Sequence, residues 1–203
     1  MKRIALIGGG GLANEISDVI YENGDVIIGY FALKKTSIKL NFFGSKDDFY
    51  NYSSNVDYFV LAIGATDRNN LEIRKKVIRK LKSQNIKLGK VISKKSTISK
   101  SAKISKGSYI ANGAVIGPNV KIGPYSIIGS NSVVSHDSVV GSNVSIYPMS
   151  AISGNVNIKN NVIIGTGSRI ISGVNISTGA ITSIGSNVFS DIKSNKTVFL
   201  RNF

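Results

Sequence analysis

From Ile92 to Ile176 an Ile or a Val stands at every sixth residue, fifteen positions without a break. A second register runs beside it: four residues after each of these aliphatics stands Ser, Ala or Val, from Ser96 to Ala180. Gly often follows the aliphatic directly, at 117, 123, 129, 141 and 165. A six-residue period fits neither a helix nor an ordinary alternating strand. It fits a solenoid in which each hexad supplies one short β-strand and one corner, the branched aliphatic points inward, and a small residue fills the tight space near the turn. Gly and Asn suit the corners, because both tolerate positive φ. Three hexads close a triangular coil of 18 residues, so the run predicts about five stacked coils.

The first part of the chain has a different grammar. Lys2–Ile7 is a short apolar run that leads into Gly8-Gly9-Gly10-Gly11, and Leu12, Ile16, Val19 and Ile20 then follow at helical spacing. Val26–Phe31 and Tyr58–Ile63 read as two further strands. A helix from Leu71 to Leu81 is expected to face Ile73, Val77, Ile78 and Leu81 inward, with Lys75, Lys76, Lys80 and Lys82 outside. Strand, helix, strand, strand, helix predicts a small Rossmann-like α/β domain over 1–88, ahead of an all-β solenoid over 89–203.

Composition removes several chemistries. The chain has 203 residues, no Cys and one His, so thiolate metal sites, a cysteine nucleophile and a three-histidine zinc site within one chain are excluded. That count also argues against a carbonic-anhydrase-like hydratase, which needs three histidine ligands. Lys+Arg is 26 against Asp+Glu 11, a formal charge of +15 that predicts anionic ligands. Nucleic acid is not expected, because many of the lysines sit singly or on one helix face rather than in a stripe interleaved with aromatics. Lys46, Lys94, Lys95, Lys100, Lys103 and Lys106 are expected in loops or solenoid corners. No apolar run approaches the roughly 20 residues of a membrane span, and Met1-Lys-Arg leads into a strand rather than a signal peptide. The expectation is a cytoplasmic protein without a membrane partner.

Four stretches carry a resemblance: Ile7-Gly-Gly-Gly-Gly-Leu-Ala-Asn-Glu15, Ala62-Ile-Gly-Ala-Thr-Asp-Arg-Asn69, Ser135-His-Asp-Ser138 and Ser153-Gly-Asn-Val156. With the hexads over 92–188, the chain resembles the hexapeptide-repeat, left-handed β-helix sugar acetyltransferases of the sialic-acid and bacillosamine type. The resemblance implies acetyl-CoA as co-substrate, a nucleotide-linked amino sugar as acceptor, and a homotrimer with its active site between adjacent β-helices. A sugar O-acetyltransferase of the same fold and a non-catalytic β-helix scaffold are the alternatives. An appended Gly-rich domain and a His-Asp pair are features that a scaffold does not need.

His136 lies two residues after inward Val134, which puts it at a corner and not in the core. It is the candidate general base, with Asp137 as its orienting partner. Imidazole titrates near neutrality, which suits proton removal from an attacking amine or alcohol. The resemblance further implies that the Gly154 N–H stabilises the oxyanion, and that amides at Thr166 and Ile184 hold the pantetheine arm. A second histidine expected near the cofactor is replaced by Ser145. For the acceptor, Gly8, Gly10, Gly11, Leu12, Ile63 and Gly64 are the candidates, with phosphate at the helix N-terminus. Gly8-x-Gly10-x-x-Ala13 fits a dinucleotide fingerprint, but no acid follows about 20 residues later. The Asp pair expected after Phe31 is replaced by Ala32-Leu33-Lys34-Lys35. An Asn expected seven residues before the histidine is Gly129, and the usual C-terminal ending is replaced by Val198–Phe203.

Overall fold

The computed structural model describes residues 1–45 and 49–199, so Lys46 and the last residues of the altered ending, 200–203, lie outside the described residues. The chain divides into two compact units, Met1–Lys94 and Lys95–Phe203.

In the first unit β1 (Arg3–Ile7), β2 (Val26–Phe31) and β3 (Tyr58–Leu61) form a parallel sheet in the order β2-β1-β3. The central strand is fully covered, with Ile4, Ala5 and Leu6 at 0% exposure, as expected for a parallel strand flanked on both faces. Helix α1 (Gly11–Glu22) connects β1 to β2 and buries Ala13, Ile16, Ser17, Val19 and Ile20, while Leu12 is half-buried. Phe31, at the end of β2, packs against Phe43, Phe49, Tyr52 and Phe59 at ring-centroid distances of 4.9–6.1 Å.

Helix α2 runs from Arg68 to Ser83, longer at both ends than the hydrophobic pattern predicts. Its start is set by Asp67, whose carboxylate accepts the Asn70 N–H at 2.8 Å and stands as N-cap. The inward face also differs from expectation. Leu71, Val77, Ile78 and Leu81 are buried, but Ile73 is 49% exposed and Arg74 is fully buried in its stead. The Arg74 Nε donates to the Ile63 carbonyl at 2.5 Å. A carbonyl just past the sheet edge that needs a donor thus selects the arginine over its apolar neighbour.

The second unit is a parallel β-solenoid of about six turns. Two-residue strands pair in parallel with strands 18 residues away, for example Val133–Val134 with Val115–Ile116 and with Ala151–Ile152. The aliphatic register points inward, and every member from Ile110 to Ile176 is at most 1% exposed. Lys103 and Lys121 stand in strands rather than corners, on exposed positions.

The small-residue register does more than fill space. Ser108, Ser126, Ser138, Ser150 and Ser168 are buried, and each hydroxyl donates to a carbonyl 15 residues on, at 2.9–3.1 Å. The serines therefore satisfy corner carbonyls that the stacked strands leave free.

A third register is legible only in the backbone. Every sixth residue from Gly107 to Gly185 has φ between 56° and 78°. It lies three residues after each inward aliphatic and is occupied by Gly, Asn, Asp137, Tyr125 or Met149. The glycines that directly follow the aliphatic are not of this kind. At Gly117 a Cβ would lie 2.9 Å from the His136 nitrogen of the next coil, so this glycine is required by close approach of stacked backbones, not by φ. Gly129 is the same case: a Cβ there would meet the Pro148 nitrogen at 2.7 Å, which leaves no space for an Asn.

Candidate active site

His136 and Asp137 occupy the corner between the strands Val133–Val134 and Val139–Val140. Asp137 takes the positive-φ position of its hexad, φ 59°. The corner is tied to both neighbouring coils. The Asp137 N–H donates to the Pro118 carbonyl at 2.9 Å, and the His136 carbonyl accepts the Asn155 N–H at 3.0 Å. On this rigid backbone the His136 Nδ1 lies 2.9 Å from Asp137 Oδ2.

Asp137 Oδ1 accepts a hydrogen bond from Asn119 Nδ2 at 3.0 Å. The hydrogen bond with His136, and then that from Asn119, hold the Asp137 carboxyl below the ordinary carboxylate range. An ionised Asp137 favours the tautomer with the proton on Nδ1, so Nε2 is left as the basic nitrogen. Asn119 was not singled out from the sequence. It sits 18 residues before Asp137 in the same positive-φ register, so one coil of spacing is the signal that identifies it.

Gly154 lies under the imidazole in the next coil. A Cβ placed on Gly154 would be 2.5 Å from both Cε1 and Nε2 of His136. Gly154 has no positive φ, so its glycine identity is set by the ring above it. The structure thus brings together His136, Asp137 and Gly154, and adds Asn119.

The other candidates in the solenoid lie elsewhere. Thr166 and Ile184 are 18 residues apart on one corner, following the strands Ile163–Ile164 and Ile181–Thr182. Thr166 is half-buried, Ile184 is 73% exposed, and the Gly185 N–H donates to the Thr166 carbonyl at 2.8 Å. In one chain this corner and that of His136 are at opposite ends of the same solenoid face. Ser145 is 1% exposed, and its hydroxyl has no hydrogen-bond partner among the described residues. It stands on a face whose outward positions Tyr109, Ile127, Ser145 and Ile163 are all buried, unlike the outward Val115 and Val133 of the His136 face, at 38% and 37% exposure.

In the first unit Gly8 and Ile63 border a cavity of about 390 Å³ at the C-terminal ends of the strands, where open α/β sheets bind ligands. The Gly8 backbone has φ 123°, and a Cβ there would run into the Ala62 carbonyl. Ile7, Phe31, Leu33, Ile63, Ile73 and Val77 give the cavity apolar walls. Its side-chain polar groups are Lys34, Lys76 and Thr36. Gly10 and Gly11 stand beside it in sequence at the start of α1, where no side chain caps the helix, no acid lies in the first turn, and a Cβ at either glycine would meet nothing within 4 Å. Leu12 and Gly64 are half-buried and are not among the lining residues. Among the described residues, no group of three or more His, Cys, Asp or Glu side chains is placed to hold a metal ion.

Residues 3–81 match the family model of the PglD N-terminal domain, and residues 101–136 match that of the bacterial transferase hexapeptide repeat. The chain belongs to the PglD-type hexapeptide-repeat transferases. Comparison with curated protein sequences found no significant match. Among solved structures, the chain is similar to PerB from Caulobacter crescentus in complex with CoA and GDP-perosamine. The TM-score is 0.90 at 23% identity, covering 98% of this chain and 94% of that one. The acetyltransferase domain of PglB from Neisseria gonorrhoeae gives 0.88 at 24% identity, over 98% and 97% of the two chains. WeeI from Acinetobacter baumannii gives 0.82 at 23%, over 97% and 96%. At these identities the likeness establishes the two-part fold over nearly the whole of each chain.

Proposed function

We propose that the protein is an acetyl-CoA-dependent acetyltransferase that modifies the amino group of a nucleotide-activated amino-deoxy sugar, with His136 as general base. The observation that carries this reading is the His136 corner: an imidazole oriented through Nδ1 by an ionised carboxylate, with its other nitrogen held over a glycine. PerB, similar in fold, was crystallised with CoA and GDP-perosamine, and the PglB domain with acetyl coenzyme A.

The acceptor amine reaches the site after losing its ammonium proton. As its nitrogen attacks the thioester carbonyl, His136 Nε2 takes the remaining surplus proton, and the imidazolium formed is stabilised by Asp137. The Gly154 N–H supports the carbonyl oxygen while it carries charge. His136 then returns its proton to the departing sulfur as the C–S bond breaks, leaving an amide and free CoA. Amides at Thr166 and Ile184 hold the pantetheine arm. Their corner lies at the other end of the face from His136, which favours a homotrimer in which one chain supplies the base and a neighbour supplies arm contacts. In the N-terminal unit the phosphates lie at the open start of α1, at Gly10 and Gly11, and the nucleoside enters the cavity beside Gly8 and Ile63.

The test is to incubate the protein with acetyl-CoA and UDP-, dTDP- and GDP-linked amino and hydroxy sugars while following free CoA. Turnover with an amino sugar, reduced about 10²–10⁴-fold in His136→Ala, is expected. No turnover with any acceptor, together with no acetyl-CoA binding, overturns the reading. Turnover with hydroxy sugars alone makes the enzyme an O-acetyltransferase.

A further inference from the structure

The cavity of the N-terminal unit has an unusual polar inventory for a nucleoside site. Among the described residues no carboxylate lines it. Two of its three polar side chains, Lys34 and Lys76, can only donate hydrogen bonds. The third, Thr36, is engaged: the Tyr30 hydroxyl accepts its N–H at 2.8 Å and lies 3.2 Å from its Oγ1. The nearest acid to Lys76 along α2, Glu72, accepts from Lys75 at 2.7 Å. The remaining walls are apolar, with Leu33 on one side and the outward-turned Ile73 on the other.

Nucleobases differ in what such a cavity leaves unpaired. Guanine presents N1–H and an amino group, three donated hydrogens that need acceptors. Adenine and cytosine each present an amino group. Uracil and thymine present two carbonyl acceptors around a single N–H. A buried donor without a partner costs more than a hydrogen bond gains, so a donor-only cavity rejects bases by their count of donors. The absence of an acid after β2 points the same way at the sugar, because the usual carboxylate partner of a ribose hydroxyl is not there.

We infer that this cavity selects a uracil- or thymine-containing nucleoside diphosphate over a guanine one, with Lys34 and Lys76 as the specificity-determining residues that donate to the base carbonyls. The inference rests on the reading of the N-terminal unit as a nucleotide-sugar site, and it refines that reading.

The full-length protein is titrated calorimetrically with UDP, dTDP, GDP, CDP and ADP, and separately with acetyl-CoA. UDP and dTDP are expected to bind about tenfold or more tightly than GDP. Comparison of these two separates the sources: a preference for dTDP assigns the apolar walls to the thymine methyl and the missing carboxylate to deoxyribose, and equal binding assigns recognition to the shared carbonyls. Lys34→Gln and Lys76→Gln are expected to reduce the preference to about threefold or less, and Lys76→Glu, which supplies an acceptor, to move it toward GDP. All three variants should bind acetyl-CoA as the unmodified protein does. GDP binding as tightly as UDP and dTDP, or a preference untouched by both lysine variants, overturns the inference and leaves the nucleotide-sugar reading intact. If acetyl-CoA binds but none of the five diphosphates does, the nucleotide-sugar reading fails and takes the inference with it.

Discussion

Gly154→Ala places one methyl group against the imidazole of His136. The added carbon would stand 2.5 Å from Cε1 and Nε2, whereas ordinary contact begins near 3.4 Å, so the ring must retreat by about 0.9 Å. It has room to do so, because the His136 side chain is 57% exposed. Gly154 is not at positive φ, so Ala introduces no backbone strain. The substitution should therefore leave folding nearly untouched while moving the base by about the distance that typically costs 10²-fold in rate, or about 2.7 kcal/mol of barrier. The assay is kcat for CoA release with the best acceptor, alongside the thermal midpoint. The double variant His136→Ala/Gly154→Ala is expected to be no slower than His136→Ala alone, because the methyl acts through the ring. Activity within about twofold of the unmodified enzyme would refute this reasoning. So would a loss of activity that follows a loss of stability.

Three further predictions concern the neighbouring groups. Asn119→Gly keeps the positive-φ backbone and removes the hydrogen bond to Asp137, so kcat should fall about threefold to tenfold with KM unchanged. The lowered carboxyl of Asp137 stabilises the folded form above the ordinary carboxylate range. That contribution should persist down to about pH 4 and be lost only as the pH falls further through the lowered value, with Asp137→Asn removing this part of the stability–pH curve. Ser138 donates to the Ser153 carbonyl at 3.0 Å and accepts the Val156 N–H at 3.1 Å. Ser138→Ala should therefore cost about 1–3 kcal/mol in denaturant unfolding, and Ser145→Ala, which removes a buried hydroxyl with no partner, close to nothing. Arg74→Met leaves the Ile63 carbonyl without its donor and should destabilise the N-terminal unit by about 1–3 kcal/mol, while Glu72→Gln on the exposed face of the same helix should be neutral in the same unfolding assay.

Much of the solenoid was written in the chain because its rules are local. Each hexad independently needs an inward branched aliphatic and a small residue four positions on, and the structure buries both registers from Ile110 and Ser108 onward. The corner position of His136 followed from the same count, as did its pairing with the adjacent Asp137. In the N-terminal unit the strands and helices were legible from apolar runs, but the orientation of α2 was not. Ile73 and Arg74 are adjacent on the wheel, and which of them turns inward depends on the Ile63 carbonyl brought up by the sheet.

What the sequence by itself determined is therefore the repeat: period, inward face, corners, and a lone histidine placed on one of them. What only the tertiary structure decided is what lies 18 residues away in space rather than in the chain. Stacking puts Asn119 on Asp137, sets Gly154 beneath His136, and presses Gly117 and Gly129 against the backbones of the next coil. It also buries Ser145, although its place in the hexad is an outward one. The physical reason is that a hexad's own needs are met by neighbours one to four residues apart. The site, by contrast, is assembled across the hydrogen-bonded stack, where residue identity is constrained by a partner that no short window of sequence contains.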